Sequence, residues 1–301
     1  MPALNNTTLY RGRFAPSPSG ALHLGSLVAA VGSYVDAKAN NGTWLLRIED
    51  LDPPREVAGA ADSILRCLEA HGLHWDEEVS YQSQHHQYYQ QSLQRLRELQ
   101  LTYACDCSRK LIQQQGGHYR GYCRHRQVTA KQSSIRFFNH QPVVEFDDEH
   151  YGHIQADRAF AEEDFILRRK DGFYAYHLAM VTDDIRQGVT HVVRGADLLQ
   201  PSACQLSLYR ALAASPPYYL HLPVVVSQPG RKLSKQNHAP ALNNDCASVN
   251  LTRVLTLLNH AVPAELNGAD CASILHWAVG NWSRAKLPAS YEVLIPKAEN
   301  S

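Results

Sequence analysis

The stretch from residue 9 to residue 26 constrains this chain more than any other. Residues 9–14 read as a short strand. Residues 15–20 are a loop rich in Pro, Ser and Gly, and a helical pattern then runs from about Leu22 to Asn40, closed by the pair Asn41-Gly42. A strand that feeds a loop and then a helix start leaves free backbone N–H groups and the positive end of a helix dipole at the edge of a sheet. Residues 43–48 alternate as a second strand, with Glu49, Asp50 and Asp52 at its carboxyl end. Ala61, Ile64, Leu65 and Leu68 mark one helix face closed by Gly72, and Tyr89, Leu93 and Leu96 mark another. Strand and helix in alternation predict an α/β fold, a parallel sheet with crossover helices.

The alternation breaks over residues 103–153, a segment dense in Cys, His, Gln and Gly. It reads as a small insertion that splits the sheet domain. Asp171-Gly172 then suits a two-residue hairpin between strand-like runs at 165–169 and 173–176. A helix is expected to start within 177–183, and strands at 189–193 and 220–226. From about Ala247 the pattern is helical around Leu251, Leu255, Leu258, Ile274 and Trp277. The expected organisation is 1–102 and 156–215 as the two halves of a Rossmann-like domain, 103–155 as the insertion, and 216–301 as a lysine-bearing loop followed by a mostly helical tail.

Composition narrows the setting without naming a partner. Lys plus Arg (29) equal Asp plus Glu (29), so any nucleic-acid surface must come from segregation of charge rather than from excess. The N-terminus has no secretory pattern, no stretch approaches a membrane span, and seven cysteines suit a reducing compartment; a cytoplasmic protein that acts as a monomer is the expectation.

Two short segments carry chemistry. At 13–26 the sequence is RFAPSPSGALHLGS, where the helix start, Pro16, Ser17 and Ser26 suit a phosphate, His23 can donate to a phosphate oxygen, and Gly25 removes a side chain where a nucleotide approaches the backbone. At 232–235 it is KLSK, and Lys232 and Lys235 can offer positive charge to a departing pyrophosphate. Arg13, Glu49 and Arg194 each fall at the carboxyl end of an expected strand, where ligands of open parallel sheets collect. Two cationic forks and one carboxylate match glutamate, which carries two carboxylates and one ammonium. In the insertion, Cys105, Cys107 and Cys123 can supply three thiolates to a tetrahedral zinc site, with His118 or His125 as a chemically reasonable fourth ligand.

Taken together, the HxG and KLSK segments resemble the two signature motifs of class I aminoacyl-tRNA synthetases. The glutamyl branch is matched through RFAPSPSG, RIEDLDPPR, DDxxxGVTHVVRGADL and HLP, from about Tyr10 to Lys235. The resemblance implies a Rossmann-like catalytic domain, ATP with Mg²⁺, and L-glutamate as substrate. It assigns Arg13, Ala15, Ser17 and Glu49 to the backbone end of glutamate, Tyr176 and Arg194 to its side-chain carboxylate, and His23 and Lys235 to catalysis. It points to Tyr119 rather than a histidine as fourth zinc ligand. The sequence departs from the family pattern at Ser26, at Gln236 and at Met180, where an Asn is usual. The chain ends too soon after Lys235 for the anticodon-binding part of a full glutamyl enzyme, so its tail is expected to be stem-contact-like. That length matches a short branch whose members activate glutamate without tRNA and esterify it to queuosine, at the wobble position of tRNA(Asp). Charging of the 3′ end of tRNA(Glu), or a non-catalytic role in binding tRNA or glutamate, are the alternatives.

Overall fold

The computed structural model describes residues 9–129, 132–233 and 240–295. Its centre is a set of parallel strands. β1 (Arg11–Phe14) pairs with β2 (Thr43–Ile48), and β2 with the short β3 (Ser80–Tyr81). The strands β4 (Thr102–Cys105), β5 (Ser134–Phe137) and β8 (Ile166–Arg168) form a separate antiparallel sheet, and β6 (Glu145–Asp148) with β7 (Gly152–Gln155) forms a hairpin. β9 (His191–Gly195) and β10 (Tyr218–Leu222) make a second parallel pair. It joins the first pair where Thr190 N–H donates to Arg11 O at 2.9 Å and Tyr10 stacks on His191 at 3.9 Å.

Parallel neighbours require crossovers. α1 (Leu24–Ala39), α2 (Ala60–Ala70) and α7 (Leu199–Ala211) link such neighbours, and α3 (His86–Glu98), the short α4 (Arg109–Gln114) and α5 (Arg158–Ala161), and α6 (Tyr176–Arg186) lie between β3 and β9 in sequence. α1 is apolar around most of its girth, so it is buried on several sides at once. Gly32 sets how close it comes to the sheet, because a Cβ there would stand 2.3 Å from Leu222 Cδ1.

The tail folds back onto this centre. After β11 (Val224–Gln228) and β12 (Arg231–Lys232), the helices α8 (Ala247–Leu257) and α9 (Cys271–Asn281) pack Leu251, Val254, Ile274 and Ala278 into the core that holds Leu27 and Val31 of α1. β13 (Glu292–Leu294) then pairs in parallel with β11. Asp36 of α1, fully buried, pins the return: it accepts from Tyr10 Oη at 2.6 Å, Trp282 Nε1 at 2.8 Å and Arg284 Nε at 2.8 Å.

Three local expectations are revised. Residues 220–226 are two strands, since Pro223 has no N–H to continue the ladder. Residues 173–176 are not a full strand: Tyr174 makes one bridge to Arg168, and Tyr176 already opens α6. The strand expected at 189–193 runs from His191 to Gly195, so Arg194 lies inside β9 rather than beyond it. The insertion showed no period because its strands are four residues or fewer, too short for alternation to register. No helix among the described residues is long and apolar enough to cross a membrane.

Candidate active site

At the carboxyl ends of β1, β2 and β9 lies a cavity of about 510 Å³. One end is the β1–α1 loop. Pro16 O accepts from Glu49 N–H and Pro18 O from Val57 N–H, each at 3.0 Å, which ties the loop to the segment after β2. His23 is the N-cap of α1, extended at φ −121° and ψ 172°, and its Nδ1 accepts from Ser26 N–H at 3.2 Å. Since Nδ1 accepts, a neutral ring carries its proton on Nε2. A Cβ on Gly25 would stand 3.1 Å from His23 Cε1 and 3.6 Å from Leu233 O, so the glycine keeps room for the capping ring as well as for a ligand. Pro16, Ser17, Gly25 and Ser26 all line this end, as do Ala15 and His23. Lys232 reaches the same cavity, with Nζ 2.5 Å from Asp197 Oδ2. Ser234, Lys235 and Gln236 lie outside the described residues.

The other end is a buried ion network. Arg13 (2% exposed) places Nε 3.2 Å from Asp184 Oδ1, and Arg47 (0%) places Nη2 2.8 Å from the same oxygen. Arg47 also lies 3.7 Å from Glu49 Oε1 and 3.9 Å from Asp183 Oδ2. Asp183 is oriented by Tyr89 Oη at 2.7 Å, Gln82 Nε2 at 2.9 Å and His85 Nδ1 at 3.0 Å. Burial would raise Asp184, but Arg13 and Arg47 hold it below the usual carboxylate range. Glu49 is the third anion facing two guanidinium groups. Burial pushes it up to about 7, against the pull of Arg47 and Arg13, and its Oε1 is buried with no hydrogen-bond partner. Met180 Sδ lies 2.8 Å from Arg47 Nη2 and 3.3 Å from Arg13 Nη2, so this side chain covers the guanidinium pair instead of offering a donor to the cavity. Arg47, Asp183 and Asp184 fall within the matched RIEDLDPPR and DDxxxGVTHVVRGADL segments, but the sequence assigned them no role in a site.

Arg194 approaches from β9. It donates Nη2 to Ser202 Oγ at 2.8 Å and to Leu198 O at 3.2 Å, and Nε to His221 Nε2 at 3.1 Å, leaving Nη1 buried without a partner. Tyr176, 38% exposed, completes the wall at the start of α6. One cavity thus brings together Arg13, Glu49, Tyr176 and Arg194 with the loop residues and Lys232.

The cysteines form a separate centre. The Sγ atoms of Cys105, Cys107 and Cys123 lie within 4.8 Å of one another, a geometry able to hold a metal ion. Neither His118 nor His125 joins that group; His118 Nδ1 instead lies 3.9 Å from Glu163. Tyr119 is 1% exposed, and its Oη accepts from Cys123 N–H at 2.9 Å. The Arg136 guanidinium lies 3.7 Å over its ring. Among the described residues, Cys67, Cys204, Cys246 and Cys271 join no such cluster.

A parallel α/β unit with a helix start, a histidine cap and buried cationic forks around one cavity is the layout of a class I synthetase catalytic unit. Residues 10–257 match the family described as tRNA synthetases class I (E and Q), catalytic domain. Curated relatives are 51% identical over 279 residues (93% of this chain and 92% of the relative) in Serratia proteamaculans, and 50% identical over 284 residues (94% and 93%) in Vibrio vulnificus, both named Glutamyl-Q tRNA(Asp) synthetase. The chain belongs to this family of glutamyl-Q tRNA(Asp) synthetases. The solved glutamate-tRNA synthetase of Elizabethkingia anophelis shares the fold, with a TM-score of 0.78 at 23% identity over 94% of this chain and 67% of that one.

Proposed function

We propose that this enzyme activates L-glutamate with ATP and transfers the glutamyl group to queuosine in tRNA(Asp). The observation that carries the reading is the pair of buried atoms without a hydrogen bond at one cavity, Arg194 Nη1 and Glu49 Oε1, the latter only 3.7 Å from Arg47 and too far to be satisfied by it. The first is a donor awaiting a carboxylate and the second an acceptor awaiting an ammonium. Glutamate carries both groups, and its remaining carboxylate is then directed toward Arg13 and the β1–α1 loop, beside Ala15 and Ser17. Tyr176 closes over the side chain.

ATP occupies the end formed by Pro16, Ser17, Gly25 and Ser26, with Lys232 at its rim. The α-carboxylate of glutamate attacks the α-phosphate, giving glutamyl-adenylate and pyrophosphate. The chain contributes orientation and charge stabilisation rather than proton transfer. His23 donates through Nε2 to a phosphate oxygen, Lys235 supplies the second cation, and Mg²⁺ accompanies the nucleotide as added charge neutralisation. A hydroxyl of the queuosine ring then attacks the activated carbonyl and adenosine monophosphate leaves. The enzyme works in the cytoplasm as a monomer.

The thiol centre takes structural Zn²⁺, held by Cys105, Cys107, Cys123 and Tyr119. The donor set fits: three clustered sulfurs suit a soft tetrahedral ion, and the Tyr119 hydroxyl, which accepts from the Cys123 backbone N–H, is an oxygen beside them. The ion holds a segment that has little apolar core of its own. Metal analysis of purified protein is expected to give one zinc per chain, and Tyr119→Phe to weaken retention less than Cys123→Ser. Zinc-free protein with an unchanged melting temperature would dismiss the site.

The reaction is tested by transfer of labelled glutamate, with ATP and Mg²⁺, to tRNA(Asp) containing queuosine, tRNA(Asp) lacking it, and tRNA(Glu). Labelling confined to the first is expected. Labelling of tRNA(Glu) would make the enzyme a minimal glutamyl-tRNA synthetase, and no labelling at all would leave only a binding role.

A further inference from the structure

Arg13 and Arg194 are both buried at the cavity, but they are held differently. Arg13 is paired directly with a carboxylate, Asp184. Among the described residues Arg194 pairs with no carboxylate; Asp148 lies behind it, relayed through His221. Asp148 ends β6 and is 3% exposed. Its Oδ2 accepts from His221 Nδ1 at 2.7 Å and from His221 N–H at 3.1 Å, and its Oδ1 accepts from the N–H groups of His150 at 3.0 Å and Tyr151 at 2.9 Å. The carboxylate is therefore fixed on both oxygens.

That arrangement settles the ring. With Nδ1–H donated to Asp148, Nε2 carries the lone pair, and it faces Arg194 Nε at 3.1 Å. Ser202 Oγ and Leu198 O take Nη2, and the Tyr219 ring lies 5.0 Å from the guanidinium carbon. Every edge of the guanidinium except Nη1 is thus positioned by the protein. A neutral imidazole holds the fork without cancelling its charge, as a carboxylate in the same place would.

We propose that His221, oriented by Asp148, is a positioning residue that aims Arg194 and thereby sets the preference for a substrate with an anionic side chain. This rests on the glutamate reading given above. His221 touches no substrate atom; it acts on the substrate only through Arg194.

The test is glutamate-dependent ATP–pyrophosphate exchange by the full chain carrying His221→Asn, His221→Gln or Asp148→Asn. Asn keeps an amide donor near the Nδ1 position but places nothing at Nε2, whereas Gln carries its carbonyl out to where Nε2 sits. His221→Asn is expected to raise the KM for glutamate by about tenfold or more, with kcat and the KM for ATP near wild type. His221→Gln should recover most of that loss, and Asp148→Asn should fall between them. An unchanged glutamate KM in His221→Asn, or an ATP KM that rises with it, would overturn the proposal. Nitrogen NMR of labelled histidine gives a second reading that needs no activity. A protonated Nδ1 with a bare Nε2 at neutral pH supports the pair, and the opposite tautomer or a doubly protonated ring rejects it. If wild type shows no glutamate-dependent exchange, the functional reading fails, and the NMR result alone decides the positioning role.

Discussion

The two ends of the cavity are built on opposite plans. At the β1–α1 loop the polar groups are backbone N–H donors, a histidine cap and small side chains, arranged by local chain geometry. At the opposite end two arginines and three carboxylates are packed out of water and held by one another across strands and helices. A phosphate site needs donors whose positions follow from a turn and a helix start. A site that distinguishes one small amino acid needs fixed charges in a low-dielectric pocket, which only tertiary packing can supply. The first plan costs the fold little, and the second places buried charge where any imbalance is felt.

Substitutions should separate the two plans, and the largest effect belongs to Asp184. Asp184→Ala leaves Arg13 and Arg47 without their shared carboxylate, a loss of about 3–5 kcal/mol for breaking a buried pair. Urea or thermal unfolding is expected to show it directly. A variant as stable as wild type would mean that the network does not hold the glutamate end together. Next comes Gly32→Ala, which forces a Cβ to within 2.3 Å of Leu222 Cδ1 at the joint between α1 and β10. Overpacking of this kind costs about 1–3 kcal/mol. It acts beneath both ends, so unfolding should shift without a selective change in the KM for glutamate or for ATP.

Glu49 gives a smaller effect of the opposite sign. Its carboxyl is raised by burial to about 7, whereas in the unfolded chain it titrates near its ordinary value of 4.5. The folded form therefore holds this proton more tightly, and Glu49 costs stability increasingly as pH rises from 4.5 through 7. Glu49→Gln should make the protein more stable at pH 8, by an amount on the order of 1 kcal/mol, and the gain should shrink toward acid pH. The same variant should lose affinity for glutamate, because only the carboxylate attracts the ammonium. In wild type, kcat/KM for glutamate should fall as pH drops below about 7, and Glu49→Gln should remove that limb. Lower stability at pH 8 would show that Glu49 is satisfied within the network.

How much of this was legible follows from how each end is made. The loop, His23, Gly25 and Lys232 are neighbours in sequence or lie in short dense motifs, so residue type and spacing pointed to them. Arg13, Glu49 and Arg194 could be found because strand ends in a parallel sheet converge. Arg47 could not, since it sits between Leu46 and Ile48 on a strand whose alternation says nothing of the anions waiting from α6. The same holds for Asp148, brought to His221 from a hairpin in the insertion 73 residues away. The tail's return is hidden for a related reason: Asp36 looks like a polar break in an apolar helix until Tyr10, Trp282 and Arg284 surround it. The thiol cluster was readable because three Cys fall within a short span, but only the packing shows that neither His118 nor His125 stands among the sulfurs.

The smallest effect on the fold, and the sharpest test of the contrast, is expected at His23. Its ring has two nitrogens: Nδ1 caps α1 through Ser26 N–H, and in the proposed reaction Nε2 donates to a phosphate. His23→Asn keeps a side-chain acceptor at a position where Asn is among the preferred caps, so stability should hold to within a few tenths of a kcal/mol. The donor at the Nε2 position is lost, and ATP–pyrophosphate exchange should slow by about tenfold to a hundredfold through kcat. His23→Ala removes the cap as well and should lose about 1 kcal/mol in addition to the rate. If Asn and Ala destabilise equally, the cap is not what His23 contributes. If His23→Asn exchanges at the wild-type rate, the phosphate end works through its backbone donors alone, and the two ends of the cavity differ even more than their structures suggest.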